Sequence, residues 1–217
     1  MQNKRTPKIV VLISGNGSNL QAIIDEVEQQ KINATISGVI SNKADAYGLQ
    51  RAQNAGIPTA VVSATKCEIR EDYDQRLASA IRTFGPDCIV LAGFMRILSE
   101  TFINEFAQIL LNVHPSLLPK YRGLNTHQRA IDAGDQEHGC SIHFVTAELD
   151  GGPIILQAKV PVFPEDDPSL LAERVQTQER QIYPLVVKWF CEGRLKKLND
   201  KAVLDEKELP TLGFATD

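Results

Sequence analysis

Short apolar runs alternate with amphipathic segments through the first half of the chain. Five of these runs are rich in Val and Ile and have the length of buried strands: Ile9–Ile13, Ile36–Ile40, Thr59–Val62, Ile89–Ala92 and Ile109–Val113. Helical spacing in the segments between them predicts three crossover helices: Asn19–Gln30, Tyr47–Ala55 and Ile69–Phe84. This alternation predicts an α/β fold, a doubly wound and mostly parallel sheet with right-handed crossovers.

The pattern changes in the second half of the chain. A short helix is predicted over Thr126–Ala133, and the strand-like runs Cys140–Val145 and Ile154–Val162 are close enough along the chain to form an antiparallel pair. A long amphipathic helix is predicted over Pro168–Glu192. Its apolar positions are expected to pack in the core: Leu171, Val175, Ile182, Leu185, Val186 and Phe190. From Lys196 onward the chain is polar and indicates no element.

Composition narrows the class of protein and its partners. The chain has 217 residues, 43% hydrophobic and 23% charged, as soluble globular proteins do. No repeat or linker divides it, so we predict one domain over residues 1–217, with a core of 8–193 and peripheral tails at 1–7 and 194–217. A net charge of −4 and a pI near 5.6 argue against nucleic acid or an anionic membrane as partner and favour small-molecule substrates. A monomer and a homodimer both fit.

Cysteine spacing and the length of the apolar runs indicate the compartment. The four cysteines are scattered without a CxxC pair or a metal-binding spacing, so neither a disulfide framework nor a metal site is indicated. No stretch approaches the roughly 18 apolar residues of a membrane span, and the first apolar run is too short for a secretory signal. We therefore predict a cytoplasmic protein.

The end of the fifth predicted strand has the clearest chemical signal. Asn112 and His114 are two residues apart, so their side chains project from the same face of the strand, directly before the loop Pro115–Pro119. The amide can donate two hydrogen bonds and the imidazole can hold a proton. The pair predicts a reaction centre. The alternative is a capped strand end with a hydrogen-bonded core histidine.

A glycine-rich loop, Ser14–Asn19, connects the first strand to the first helix. Glycines at such a turn let the backbone approach an anion closely, and free N–H groups at a helix N-terminus favour phosphate. The G-x-G-x-N spacing matches neither the dinucleotide nor the P-loop signature, so a single phosphate on a small molecule fits better. Ser18 or Asn19 is expected to cap the helix. A purely structural tight turn is the alternative.

Asp150 lies within Glu148–Pro153, between the two strands of the predicted antiparallel pair. If this loop folds over the end of the fifth strand, the carboxylate would favour the protonated form of His114 and suit it to proton transfer. The alternative is turn chemistry alone, because an aspartate followed by two glycines is typical of a tight turn.

Four segments together resemble a known family, and the resemblance covers about Lys8 to Gly193: Val11–Gln21, Leu91–Leu98, Asn112–Pro119 and Glu148–Pro153. The chain is similar to the phosphoribosylglycinamide formyltransferases, the folate-dependent glycinamide ribonucleotide transformylases of purine synthesis. The resemblance implies a Rossmann-like formyltransferase fold. It also implies transfer of a formyl group from 10-formyltetrahydrofolate, a co-substrate, to the amine of glycinamide ribonucleotide, with no metal required.

The resemblance implies roles for individual residues as well. The catalytic set corresponds to Asn112, His114 and Asp150. The ribonucleotide and its phosphate would bind at Gly17, Ser18, Asn19 and Glu179. The folate site is expected to be lined by Arg70, Met95, Arg96, Ile97, Leu98, Thr146, Ala147, Glu148, Leu149 and Asp150.

Several of these residues have plain structural alternatives. Met95 to Leu98 follow a predicted strand and would also suit the start of a helix, while Arg70 and Glu179 would also suit solvated helix positions. His143 lies in an alternating strand and either faces the site or is buried with its hydrogen bonds satisfied. Arg122 stands where the family commonly has proline, which leaves the detail of that loop open.

Three other functions compete with formyl transfer to the ribonucleotide. A hydrolase would release formate from the same folate, but such enzymes have an extra N-terminal regulatory domain that seven residues before Lys8 do not supply. A methionyl-tRNA formyltransferase would need a further C-terminal domain and a basic surface. A catalytically silent folate-binding or phosphosugar-binding module is the last alternative, and the intact Asn112, His114 and Asp150 argue against it.

Overall fold

A computed structural model describes residues 5–216 of the chain. Its first part alternates strands and helices: β1 (Lys8–Ile13), α1 (Ser18–Glu28), β2 (Thr35–Ser41), α2 (Tyr47–Asn54), β3 (Thr59–Val61), α3 (Arg70–Phe84), β4 (Cys88–Leu91), α4 (Glu100–Phe106) and β5 (Leu110–His114). The remaining elements are α5 (Thr126–Asp132), β6 (Glu137–Phe144), β7 (Ile154–Pro161), α6 (Pro168–Cys191), β8 (Leu195–Leu198), β9 (Lys201–Leu204), β10 (Lys207–Glu208) and β11 (Phe214–Thr216). Every strand and helix that the sequence predicts is present.

Eight strands form one sheet in the order β11-β7-β6-β5-β4-β1-β2-β3. The strands from β3 to β5 are parallel, whereas β6 is antiparallel to both β5 and β7. The predicted mostly parallel sheet and its antiparallel pair are therefore confirmed. The chain winds outward from β1 to β3 and then places β4 on the other side of β1. The carboxyl ends of β1 and β4 thus flank the crevice in which open α/β sheets bind ligands.

Helices cover both faces of the sheet, which explains the unbroken apolar runs. Every residue from Ile9 to Ile13 is buried, and alternate side chains enter two separate apolar clusters. On the face covered by α6, the hydroxyl of Tyr183 lies 3.1 and 3.0 Å from the carbonyl oxygens of Leu91 and Leu111. This contact holds the middle of α6 against β4 and β5, the two strands that lead to the candidate site.

Helix α6 begins at Pro168 as predicted, and the Asp167 side chain caps it by accepting the N–H groups of Ser169 and Leu170. Most of its predicted core positions are buried or packed against the core: Leu171, Val175, Ile182, Val186 and Phe190. The prediction is wrong for Leu185, which is 40% exposed. None of the helices formed by residues 5–216, α6 included, is long and apolar enough to cross a membrane.

Helix α4 is not predicted from the sequence, although its signals are present. The Ser99 side chain accepts the N–H of Phe102 at the helix start, and Phe102, Ile103 and Phe106 are buried. The helix has seven residues, so its apolar spacing covers only about two turns.

The segment after α6 forms strands where the sequence indicates none. β8, β9 and β10 make a separate antiparallel sheet, with Leu195, Ala202 and Leu204 buried. β11 pairs in parallel with β7 at the edge of the main sheet. Strands of two to four residues are too short to show a period of two, so their partners are decided by tertiary packing.

Candidate active site

Strand β5 brings Asn112 and His114 to the carboxyl edge of the sheet, next to β6. Asn112 pairs with His143 and His114 with Ser141 across the antiparallel ladder. His114 is only 5% exposed, and Asn112 is partly buried. The reversal of direction between β5 and β6 matters here, because it places His143 directly beside the amide that the sequence analysis singles out.

His143 is buried and orients the Asn112 side chain. Its Nδ1 lies 2.8 Å from the backbone oxygen of Phe144, which can only accept, so Nδ1 bears the hydrogen. Its Nε2 therefore accepts from the Nδ2 group of Asn112 at 3.1 Å. Burial lowers the pKa of His143 to about 4, so the ring is neutral near pH 7. His143 is therefore buried with its hydrogen bonds satisfied, and it also contacts the site through Asn112. The Asn112 amide keeps one further N–H.

The Asp150 loop folds over the end of β5, as the sequence analysis requires for a reaction centre. Oδ2 of Asp150 lies 3.4 Å from Nδ1 of His114 and accepts the backbone N–H of Gly123 at 2.9 Å. Asp150 has a φ of 47°, a left-handed conformation that aspartate tolerates better than most residues. Gly152 is required nearby, because a Cβ on it would lie 1.8 Å from the carbonyl oxygen of Phe144.

His114 has an acceptor on each side of its ring. Nε2 lies 2.9 Å from the backbone oxygen of Tyr121, so this nitrogen donates. A second proton, on Nδ1, would point toward Oδ2 of Asp150, which lies 3.4 Å from that nitrogen. The Tyr121 carbonyl is held in place because the Tyr121 hydroxyl donates to Asp135 at 2.8 Å. The ring is therefore oriented with its Nδ1 side facing Asp150.

The glycine-rich loop ends at Gly17, which is the N-cap of α1 and has a φ of 75°. No side chain caps this helix, so the prediction that Ser18 or Asn19 does so is wrong. The loop is linked to the segment after β4, because the Ser14 hydroxyl accepts the N–H of Met95 at 2.8 Å. The uncapped helix start leaves its N–H groups available to an anion.

Asn19 faces α6 instead of capping α1. Its Nδ2 donates to Oε2 of Glu179 at 2.8 Å, and both side chains are buried. Burial raises the pKa of Glu179, and the hydrogen bond from Asn19 opposes that shift. Glu179 is therefore not a solvated helix charge. Oδ1 of Asn19 is buried and has no hydrogen-bond partner within residues 5–216, so it is open to a donor from a ligand.

Residues 95–98 form a loop before α4 and do not start a helix. Met95 and Ile97 are 68% and 61% exposed, which leaves two apolar side chains open to a ligand. Leu98 is buried, and the Arg96 guanidinium lies 3.8 Å from the centre of the Tyr73 ring. The Nε of Arg96 is buried and has no partner among the described residues.

The other predicted folate residues lie on two separate elements. Arg70 is the exposed first residue of α3. Residues 146–150 form the loop between β6 and β7, with Leu149 half-exposed. Glu148 makes an ion pair with Arg122, in the loop after β5. Within residues 5–216, no group of three or more His, Cys, Asp or Glu side chains is arranged to hold a metal ion.

Known proteins match this chain over nearly its full length. The chain matches the family model described as formyl transferase over residues 7–187. It is 59% identical over 209 residues to the phosphoribosylglycinamide formyltransferase of Escherichia coli, covering 96% of this chain and 99% of that protein. The corresponding protein of Haemophilus influenzae is 54% identical over 210 residues, covering 97% and 99%. The chain belongs to the phosphoribosylglycinamide formyltransferase family.

Solved structures of the family have the same fold as this formyltransferase. The phosphoribosylglycinamide formyltransferase of Coxiella burnetii superposes with a TM-score of 0.92 at 49% identity, covering 98% of this chain and 100% of that one. A formyltetrahydrofolate deformylase of Pseudomonas syringae superposes with a TM-score of 0.86 at 24% identity, covering 93% of this chain and 66% of that one. At that identity the likeness to the deformylase shows a shared fold alone.

Sequence reasoning misses two contacts near the site of this family member. Tyr121 contributes a backbone carbonyl, for which a sequence has no residue-type signal. Arg51, a single basic residue on α2, bonds to the glycine-rich loop and also gives no pattern to detect. The side chains of His127 and His138 lie 3.1 Å apart, and burial lowers the pKa of His138 to about 4.

Proposed function

We propose that this enzyme transfers the formyl group of 10-formyltetrahydrofolate to the primary amine of glycinamide ribonucleotide, a step of de novo purine synthesis. The products are formylglycinamide ribonucleotide and tetrahydrofolate. The observation that supports this most is the meeting of Asn112, His114 and Asp150 at the carboxyl edge of the sheet, next to a free helix N-terminus. The family, shown by near full-length identity, fits this chemistry.

Asn112 is proposed to stabilise the oxygen of the formyl group as the amine attacks. The attack forms a C–N bond and turns the carbonyl carbon tetrahedral, so negative charge grows on its oxygen. Because His143 holds one N–H of the Asn112 amide, the other has a defined direction and can donate to that oxygen. Loss of one such donor typically costs about 3 to 4 kcal/mol of transition-state stabilisation.

His114 and Asp150 are proposed to move the proton that the reaction displaces. The attacking nitrogen must lose one proton, and N10 of the folate must gain one when the C–N10 bond breaks. The Nδ1 side of His114 is suited to this transfer because Nε2 already donates to the Tyr121 carbonyl, whereas Nδ1 lies 3.4 Å from the Asp150 carboxylate. The negative carboxylate stabilises the imidazolium formed on the way.

The ribonucleotide is proposed to bind between the glycine-rich loop and α6. Gly17, Ser18 and Asn19 would direct backbone N–H groups at the phosphate. The open Oδ1 of Asn19 and the buried carboxyl of Glu179 would accept donors from the glycinamide end. The folate would contact Met95 and Ile97, with Arg70, Arg96, Leu98 and the loop 146–150 around it. Whether the enzyme works as a monomer or a homodimer stays a prediction.

A single reaction mixture tests the proposed function. The purified chain is incubated with 10-formyltetrahydrofolate, with and without glycinamide ribonucleotide, while formylated product and formate are measured together. We expect formylated ribonucleotide to form in step with tetrahydrofolate, and formate release to be minor. Formate production that the amine does not alter would instead identify a hydrolase and overturn the proposal.

A further inference from the structure

Helix α2 packs tightly against the glycine-rich loop. The N–H of Gly48 donates to the carbonyl oxygen of Gly15 at 3.0 Å. A Cβ on Gly17 would lie 2.7 Å from the Cα of Gly48, and a Cβ on Gly48 would lie 2.5 Å from Cδ1 of Ile13. The loop is thus held between α1 and α2, and residues of α2 reach it directly.

Arg51, one turn after Gly48 on α2, binds the loop through its guanidinium group. Its Nε donates to the backbone oxygen of Asn16 and its Nη2 to Oδ1 of the same residue, both at 2.9 Å. Its Nη1 lies 3.3 Å from Oε1 of Gln21 on α1. These bonds fix the peptide that precedes Gly17, and so set the direction of the N–H groups at the start of α1.

The charge of Arg51 has no negative partner in the described part of the chain. All three of its hydrogen-bond acceptors are neutral, and no carboxylate of residues 5–216 lies within 4.0 Å of its guanidinium. The side chain is partly buried and lies 4.8 Å from the centre of the Tyr47 ring. An unpaired, partly desolvated cation next to an uncapped helix start favours a multiply charged anion there.

We propose that Arg51 is a positioning residue for the phosphate of the substrate, acting through Asn16 and through its own unpaired charge. The inference rests on the proposed function, because it assigns the phosphate to the loop at Gly17–Asn19. It adds a residue on a third element, α2, to a site otherwise made by α1 and α6. Five N–H groups are available on the guanidinium and three are used, so two remain for solvent or ligand.

Other cations of the neighbouring groove do not share these features. The groove between α1 and α6 has a volume of about 810 Å³ and is lined by Ser18, Arg51, Arg180 and Lys188, among others. Arg180 donates to Thr177 on its own helix, and Lys188 lies 4.0 Å from Glu192. Neither has a hydrogen bond to the loop within the described residues. Lys188 is therefore a suitable control for loss of a positive charge near the site.

The test compares substrates with and without the phosphate. Wild type, Arg51→Met, Arg51→Lys and Lys188→Met are assayed with glycinamide ribonucleotide and with the corresponding nucleoside, and kcat/KM is measured for each. We expect Arg51→Met to lower the preference for the nucleotide about tenfold, the scale of one hydrogen bond to a charged group. Its kcat/KM for the nucleoside and its KM for folate should stay within about twofold. Arg51→Lys should recover most of the loss, and Lys188→Met should resemble wild type.

The outcomes separate this inference from the proposed function. If Arg51→Met lowers kcat/KM equally for nucleotide and nucleoside, the residue is merely structural and the inference is overturned. If Arg51→Lys is no better than Arg51→Met, the role assigned to its charge is wrong. If wild type itself shows no preference for the nucleotide, the phosphate site proposed at Gly17–Asn19 fails and the inference fails with it. A wild-type preference that survives in Arg51→Met overturns the inference alone.

Discussion

The two loops on either side of the site differ in what they present. The glycine-rich loop presents backbone, and close packing of Gly17 against Gly48 sets its shape. The loop at 146–150 presents side chains, and its Asp150 is located by the N–H of Gly123 and the ring of His114. A site made of backbone is sensitive to added atoms, whereas a site made of side chains is sensitive to charge and to lost donors. Different substitutions should therefore break each loop.

The largest effect is expected where the side-chain loop loses its charge. Asp150→Asn keeps an oxygen that can accept the Gly123 N–H, and asparagine also tolerates a positive φ, so the loop should keep its conformation. Without the carboxylate, proton transfer through His114 should be impaired and kcat should fall about a hundredfold or more.

Steady-state kinetics and thermal unfolding check this prediction together. His114→Ala should show a comparable loss of kcat, and Asp132→Asn, an exposed aspartate at the end of α5, is the control and should behave as wild type. A large fall in Tm that accompanies the loss of kcat would mean that Asp150 has a structural role instead of a chemical one.

A smaller effect is expected where the backbone loop gains one methyl group. Gly17→Ala forces alanine into a φ of 75° and puts its Cβ 2.7 Å from backbone, so the unfolding free energy should fall by about 1 to 3 kcal/mol. The KM for the ribonucleotide should rise, while the KM for folate should change little.

Gly15 is the matched control in the same loop. A Cβ on Gly15 would meet nothing within 4 Å, and its φ is not positive. Gly15→Ala should therefore change the unfolding free energy by less than about 0.5 kcal/mol. Equal effects of the two substitutions, measured by urea unfolding, would show that contact with Gly48 is not what shapes the loop.

The smallest effect near neutral pH concerns the two buried histidines of β6, His138 and His143. Burial lowers the pKa of both His138 and His143 to about 4, so below their ordinary pKa of 6.5 the unfolded chain binds protons that the folded chain does not. With respect to these two histidines, the unfolding free energy therefore has its full value above pH 6.5 and decreases as the pH falls toward 4. Between pH 7 and pH 6 the loss should be about 1 kcal/mol.

Urea unfolding of wild type and His138→Asn across this range measures the effect. The variant should lose less unfolding free energy on acidification than wild type does, whatever its absolute stability. Parallel pH dependences would contradict the assignment.

Much of the sheet is predictable because its strands are buried on both faces. Ile9–Ile13 and Ile109–Val113 stand out as apolar runs, and the helices between the strands show their period. The elements that escape prediction are short. Helix α4 has seven residues, and β11 pairs with β7, a strand about 58 residues earlier. In such elements the tertiary partner, and not local periodicity, supplies the stability.

The candidate site divides in the same way. Asn112 and His114 are predicted to lie together because residues two apart share a face of a strand. The expectation that Ser18 or Asn19 caps α1 fails because Glu179, 160 residues away, binds the Asn19 amide instead. Leu185 has helical spacing with its buried neighbours and yet lines a groove. The spacing identifies the side of a helix that faces the core, but it does not show how much of that side other elements cover.

The sequence by itself determined the parallel sheet, the strand that ends in Asn112 and His114, and the family, because each depends on a local period or a contiguous motif. Only the tertiary structure decided that Asp150 reaches His114, that His143 orients Asn112 and that Arg51 holds the glycine-rich loop. The reason is physical. These contacts join residues 31 to 36 positions apart, and their distances depend on how strands and helices pack, which no local pattern encodes.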